Sequence, residues 1–557
     1  MTTFSERLQS HLHQTPERVA VTLQFANLPD LPISYSQLLR GAQGFSASLK
    51  KEGVAPGEVV LLILRHGEEL IYSYFGAIIH GAIPSVMSFL TEKLSPERYR
   101  ADLSTLISVT RPAAIVTYGE FVDEVREALK GGDSVRAVIV AESVPAEKVN
   151  ISSWSGLKRK PEDIALLQHS SGTTGLQKGV ALSHQAVFNQ LDAYSKVLGL
   201  NEKDVIVSWL PLYHDMGLIA GFLLPILYGI PLVLISPFDW VRAPYRLMQS
   251  VSKYKGTLSW LPNFAYNFCA QKIRDRHLEG VDLSTWRAVI NCSEPVRWES
   301  HLAFQEKFQA YGLPESALHS SYAMAENVFA VTQSTLGSKP RVEVIEWEAF
   351  MMERVVRDAS EKASVTVMSS GHALPNVQIK IVDEKGNELP ERVIGEIALK
   401  SDCMLTGYYN RPDATEKAFV DGWYVTGDYG FISGGEIFVS GRKKDMIIVG
   451  GKNVYPQDLE MLSYEVPGVH AGRSVAFGLF DEEQGTEEVV IIAEADSDDE
   501  AKNQKIAELI RQHVTKNSAI ALRHVKVVGP KWILKTSSGK TARSANKEKY
   551  LQELGQG

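Results

Sequence analysis

At 557 residues the chain exceeds what one hydrophobic core can hold, so two or more domains are expected. Its 44% hydrophobic and 22% charged residues are those of an ordinary globular protein, and a net charge of −8 excludes the basic surface that nucleic-acid binding requires. Three scattered cysteines (Cys269, Cys292, Cys403), with no Cys-x-x-Cys pair, fit core packing in a reducing cytoplasm, and Met-Thr-Thr-Phe-Ser-Glu is too polar to begin a signal peptide.

Along the chain, apolar β-branched runs alternate with helical patterns. Val59–Leu64, Ala114–Thr117, Ala137–Val140, Ile164–Leu167, Val205–Leu210, Leu232–Ile235 and Ala288–Asn291 read as strands, and Glu68–His80, Gln185–Val197 and Glu299–Tyr311 as helices. This is the pattern of an α/β protein with layered, largely parallel sheets. Leu218–Ile235 carries no charge and is long enough to span a bilayer. Gly221, Pro225, Gly229 and Pro231 instead make it a buried helix, a turn and a buried strand, so no transmembrane segment is expected. Residues 331–370 fit no layer and read as an insertion with a helical piece over Glu346–Arg357. From about Gly371 short strands bounded by turns predict a small antiparallel β region. At Gly441-Arg-Lys-Lys-Asp445 the texture changes again, to an α+β tail, which divides the chain into a large domain over 1–441 and a small one over 442–557.

The most informative stretch is Gln168-His-Ser-Ser-Gly-Thr-Thr-Gly-Leu-Gln-Lys-Gly-Val-Ala-Leu-Ser-His184. Glycines let successive N–H groups converge on one point. Ser170, Ser171, Thr173 and Thr174 add hydroxyls and Lys178 a positive charge, so the loop, with Gly172 and Gly175, is a cradle for phosphates. It is not the G-x-x-x-x-G-K-[ST] loop, because Gln177 stands where the second glycine belongs. Ser537–Thr541 fails the same comparison at Leu534.

Together with Tyr322-Ala-Met-Ala-Glu326, Trp423-Tyr-Val-Thr-Gly-Asp428, Gly441-Arg442 and Thr536-Ser-Ser-Gly-Lys540, this loop resembles the motifs of the adenylate-forming superfamily, in the same order and over nearly the whole chain. The resemblance implies ATP-dependent attack of a carboxylate on the α-phosphate, with loss of pyrophosphate. It further implies a small mobile α+β domain that carries the catalytic lysine. The cradle residues would hold ATP, Lys540 would bridge carboxylate and α-phosphate, and Glu326 with Thr174 would hold Mg²⁺. Asp428 would accept the ribose hydroxyls and Arg442 would add charge beside them. Tyr322, between Ser321 and Ala323, would stack on adenine, with Ser293-Glu294-Pro295 on its other side. Lys444 falls at the hinge position.

Trp209–Leu218 and Trp260–Tyr266 resemble acyl-pocket segments of fatty acyl-AMP ligases, which implies substrate contacts from His214, Asn263 and Phe264 and a medium- or long-chain fatty acid as substrate. For the acceptor the signals divide. The insertion and Tyr455–Glu460 resemble ligases that load an acyl carrier protein's phosphopantetheine, whereas Gly450-Gly451 resembles CoA ligases. The expectation is a cytoplasmic fatty acyl-AMP ligase. An acyl-CoA synthetase is the alternative, and a non-catalytic acyl- or nucleotide-binding relative the further one.

Overall fold

The computed structural model describes residues 2–89, 96–129, 133–170, 178–359, 364–449, 452–481, 486–496, 499–518, 520–536 and 539–555. Strands that are apolar at every position need cover on both faces, and in this chain helices provide it. Val59–Ile63 is buried throughout. It lies in a seven-stranded sheet ordered 407–408, 178–183, 164–170, 83–86, 59–63, 114–117, 137–140. The five strands from 164–170 to 137–140 are parallel, and the other two add antiparallel at one edge. A second seven-stranded sheet runs 318–320, 288–291, 258–261, 206–208, 232–235, 19–24, 31–34, parallel except for its final hairpin. One continuous hydrophobic core joins both sheets.

Local chemistry sets where the covering helices begin. Ser34 accepts from Gln37 N at 3.3 Å and opens the helix Tyr35–Lys51, and Ser183 accepts from Ala186 N at 3.0 Å and opens His184–Val197. The apolar stretch after Asp215 is a π-helix (Met216–Leu223), a short α-helix (Leu224–Tyr228) and a strand (Leu232–Ile235), all within the core. Close approach requires glycine there, since a Cβ on Gly217 would stand 2.3 Å from the Pro211 carbonyl oxygen. Among the described residues no helix is long and apolar enough to cross a membrane.

The third sheet is antiparallel, in the order 377–382, 395–401, 423–433, 419–420, with 436–442 also paired to 423–433. Its strand alternation serves two cores. Ile437 faces the core of the large sheets, while its neighbour Phe438 joins Tyr429 and Phe431 in a second core. Val454, Tyr455, Leu459, Ile491 and Ile510 complete that second core. The tail forms a three-stranded sheet, 469–481, 486–495 and 524–528, flanked by Pro456–Tyr464, Glu500–Ser518 and Arg543–Gly555.

The helical piece expected over Glu346–Arg357 is present but shorter at both ends. Val342–Glu346 pairs antiparallel with Ser364–Met368, and between them the chain is helical only from Trp347 to Glu353, where Ala349–Glu353 forms a π turn. The alternation of Val342, Val344, Val365 and Val367 favours strand pairing over helix, and Arg354 ends the turn at φ +54°.

Candidate active site

Strands Ile164–Ser170 and Lys178–Ser183 pair antiparallel with Ser170 opposite Lys178, so the segment expected to cradle phosphates falls between the two strands of a β-hairpin. Ser171, Gly172, Thr173, Thr174 and Gly175 lie outside the described residues, as do Gly450 and Gly451. At the hairpin's base the Lys178 ammonium sits over the Tyr408 ring, 4.5 Å from its centroid. Tyr408 is brought there by its strand, which pairs with Val180. Its hydroxyl donates to Glu326 Oε1 at 2.9 Å and lies 3.0 Å from the Tyr424 hydroxyl. Tyr408 therefore ties the loop to the acidic residue. Sequence reading missed it, because nothing local to Gly407-Tyr408 marks it.

On the second wall, Asp428 and Arg442 are direct cross-strand partners, which sets carboxylate and guanidinium side by side with Nε 3.3 Å from Oδ1. The Tyr322 hydroxyl donates to Asp428 Oδ2 at 2.6 Å. Burial, followed by the Asp428 charge, pushes the Tyr322 phenol well above its ordinary range and keeps it a donor. Ser321 donates to the Thr332 carbonyl at 2.7 Å, and Ala323 bridges to Ala330, so both hold the strand on which Tyr322 is presented. Lys444 lies close enough to sense Arg442, Asp445, Asp428 and Lys178. Burial lowers its pKa, Arg442 lowers it further, and the two aspartates oppose them.

The third wall comes from the tail. Lys535 and Thr541 bridge, Thr536 N donates to Lys540 O at 2.7 Å, and Gly539, at φ +87°, turns the chain so that Lys540 projects from a tight hairpin. A Cβ on Gly539 would stand 3.9 Å from Phe264 Cε1, so the hairpin rests against the expected acyl pocket. The charge of Lys540 reaches His214, Asp215 and Cys292. Burial, reinforced by Lys540, holds His214 down to about 3, so its imidazole is neutral, and its Nε2 has no partner among the described residues. Burial raises the Asp215 carboxyl against the pull of Lys540, and burial with the nearby Asp215 raises Glu326.

The neighbouring loop is held by its own side chains. Asn263 Oδ1 accepts from Asn291 Nδ2 (2.9 Å) and Arg297 N (3.1 Å), while its amide donates to Ser300. Glu294, between Ser293 and Pro295, accepts from Phe264 N at 2.9 Å. Glu294 thus holds the backbone of Phe264, and Asn263 ties the same turn to Asn291, Arg297 and Ser300. Ser293 turns this loop at φ +69°.

The Lys178 hairpin, the Asp428–Arg442–Tyr322 wall and the Lys540 hairpin belong to a chain that is similar to known proteins over nearly its whole length. Residues 8–409 match the family described as AMP-binding enzyme. The chain belongs to that family. The medium-chain-fatty-acid–[acyl-carrier-protein] ligase JamA of Moorena producens is 29% identical over 99% of this chain and 95% of its own length. A solved structure from work on the fatty acyl-adenylate ligases of E. coli and L. pneumophila superposes with TM-score 0.90 at 26% identity, covering 100% of this chain and 98% of that one. The L. pneumophila fatty acyl-adenylate ligase in complex with acyl adenylate and pyrophosphate superposes with TM-score 0.76 at 29% identity, covering 99% and 96%.

Two further features of this AMP-binding enzyme lie beside the site. Asn327-Val328-Phe329 forms a γ-turn, with Val328 at φ +64°, ψ −55° and Phe329 N donating to Asn327 O at 2.7 Å. A β-branched residue there is strained, and the strain falls two residues from Glu326. The segment around Lys444 is fastened on both flanks. Lys443 pairs with Glu396 at 2.8 Å, and Asp445 pairs with Arg543 at 2.9 Å. No group of three or more His, Cys, Asp or Glu among the described residues is arranged to hold a metal ion. Mg²⁺ bound with substrate phosphates takes only one or two protein carboxylates, a donor set that Glu326 fits.

Proposed function

We propose that this enzyme activates a medium- or long-chain fatty acid with ATP and hands the acyl group to the phosphopantetheine thiol of an acyl carrier protein. In the first step a carboxylate oxygen bonds to the α-phosphorus, the bond to the bridging oxygen breaks, and pyrophosphate leaves with its electron pair. The barrier is the approach of anion to anion, so oriented positive charge supplies the catalysis. Lys540 carries this reading, because its charge reaches His214 and Asp215 in the site that also holds Asp428 and Arg442.

In this reading Lys540 bridges the carboxylate and the α-phosphate, and neutral His214 orients the acid by a hydrogen bond. The loop from Ser170 to Gly175, with Lys178, holds the departing pyrophosphate. Asp428 and Arg442 hold the ribose, and Tyr322 holds the adenine. Glu326, with Thr174, would hold Mg²⁺, which when bound neutralises phosphate oxygens. The small domain begins at Arg442 and turns about Lys444 between the two half-reactions, and the enzyme works in the cytoplasm.

The carrier protein is favoured over CoA by the segment inserted before residue 370. Phe350 packs on Tyr455 with ring centroids 5.8 Å apart, and Trp347 Nε1 donates to Ser518 O at 3.2 Å. These contacts join the inserted segment to the proposed small domain, and its turn between the half-reactions must break and remake them. Gly450-Gly451 supports CoA instead. Incubating the enzyme with [α-³²P]ATP and fatty acids of graded length should yield acyl-AMP; absence of any adenylate would refute the reading. Adding holo carrier protein or CoA in parallel then decides the acceptor.

A further inference from the structure

Trp209 follows the strand Ile206–Ser208 and Trp240 lies on the helix Pro237–Arg242, yet the fold lays one indole on the other. Their ring centroids are 3.5 Å apart and their planes 6° from parallel. Phe264 stands edge-on to both, at 6.2 Å from each, and Phe268 lies 5.5 Å from Trp240. Phe264 is also the ring on which Gly539 rests, so this aromatic box begins one ring away from the Lys540 hairpin.

The box is not wholly apolar. Trp209 Nε1 and Trp240 Nε1 are both buried, and neither has a hydrogen-bond partner among the described residues. An indole N–H only donates, and a buried donor without an acceptor costs free energy that a paired one does not. A plain alkyl chain entering here would leave both donors unpaired. An oxygen atom in the chain would accept from them while its flanking methylenes packed on the aromatic faces.

We propose that the acid adenylated by this enzyme carries an oxygen acceptor in its chain, as a hydroxyl, ether or carbonyl group, which the indole N–H groups of Trp209 and Trp240 bind. The inference rests on the acyl-adenylating reading above and adds a substrate class to it. Polar recognition of this kind discriminates strongly, because the analogue that lacks the oxygen leaves protein donors buried and unpaired.

The test compares decanoic acid with hydroxydecanoic and oxodecanoic acids in which the oxygen is walked along the chain, reading kcat/KM for adenylate formation. The wild-type enzyme should prefer at least one oxygenated acid about tenfold or more. Trp209→Phe and Trp240→Phe keep a ring and remove the N–H, and each should lower that ratio by several-fold. A general packing defect would lower both rates and leave their ratio intact. Equal use of decanoic acid by the wild type, or an undiminished ratio in both variants, overturns the proposal. Adenylation of none of the acids overturns the acyl-ligase reading itself.

Discussion

Arg543 follows the Lys540 hairpin by three residues and grips three groups at once. Nη1 donates to Asp445 at 2.9 Å, Nη2 to Glu460 at 2.7 Å and Nε to the Ala476 carbonyl at 2.8 Å. The side chain is 16% exposed, Asp445 18% and Glu460 9%. Arg543→Met keeps length and apolar contact but leaves two nearly buried carboxylates facing each other without a cation. Removing one partner of a buried pair costs about 3–5 kcal/mol. The residual exposure here places the cost at the lower end, about 3 kcal/mol. Because Asp445 adjoins Lys444, the proposed hinge, the cost should appear as local opening of the proposed small domain and as a misplaced Lys540. Amide hydrogen exchange of the full chain would read it. Residues 456–481 should exchange about a hundredfold faster, a factor of ten per 1.4 kcal/mol, while the strands at 59–63 and 288–291 stay protected. Adenylate formation should fall in parallel, and Arg543→Lys should lie between. If exchange over 456–481 rises less than threefold in Arg543→Met, the ion pairs do not hold the hinge to the small domain and the reasoning fails.

Other outcomes follow from the site. Lys540→Ala should reduce single-turnover adenylation about 10²–10³-fold while ATP affinity changes little; an unaltered adenylation rate would contradict its role. Glu326→Gln should raise the Mg²⁺ concentration needed for half-maximal adenylation about tenfold, the effect of losing one charged ligand. An unchanged Mg²⁺ dependence would remove Glu326 from the metal site. Stability should depend on pH above the carboxylate range. Burial holds His66, His169, His184 and His319 down to about 4, and His214 and His301 down to about 3. Their folded pKa values lie below the unfolded value, so the unfolded chain binds the extra protons. Stability is fully present above pH about 6.5 and is lost as pH falls toward about 3, by up to about 1.4 kcal/mol per unit for each histidine. His301, stacked on Tyr266 with both ring nitrogens unpartnered among the described residues, isolates the effect. His301→Phe should flatten the melting temperature's dependence on pH between 6.5 and 4; an identical slope refutes the assignment.

What could be read from the chain alone is what is local or strongly ordered. Ala114–Thr117, Leu232–Ile235 and Ala288–Asn291 fall where their apolar runs predict, because a strand buried on both faces leaves an unbroken apolar signature. The helix Glu68–His80 is set by its own period and ends at Gly81. The motifs identify the family because each keeps its functional residue types in a short contiguous segment. The predicted helix at 346–357 is cut down to 347–353 for a complementary reason. Its charges suit a helix locally, and only the return strand at 364–368, beyond any local window, makes pairing the better solution.

The tertiary structure decided how distant residues share one site. Tyr408 joins Glu326 only because its strand pairs across the edge of a sheet laid down more than two hundred residues earlier. Trp209 and Trp240 stack only because strand and helix converge, and the side-chain period of either element alone says nothing of the other. The sequence by itself determined the family and the expected reaction, through residue types that phosphate and carboxylate chemistry require. The fold decided which side chains feel the Lys540 charge and which buried donors stand unpaired among the described residues, because those depend on long-range packing that no local pattern encodes.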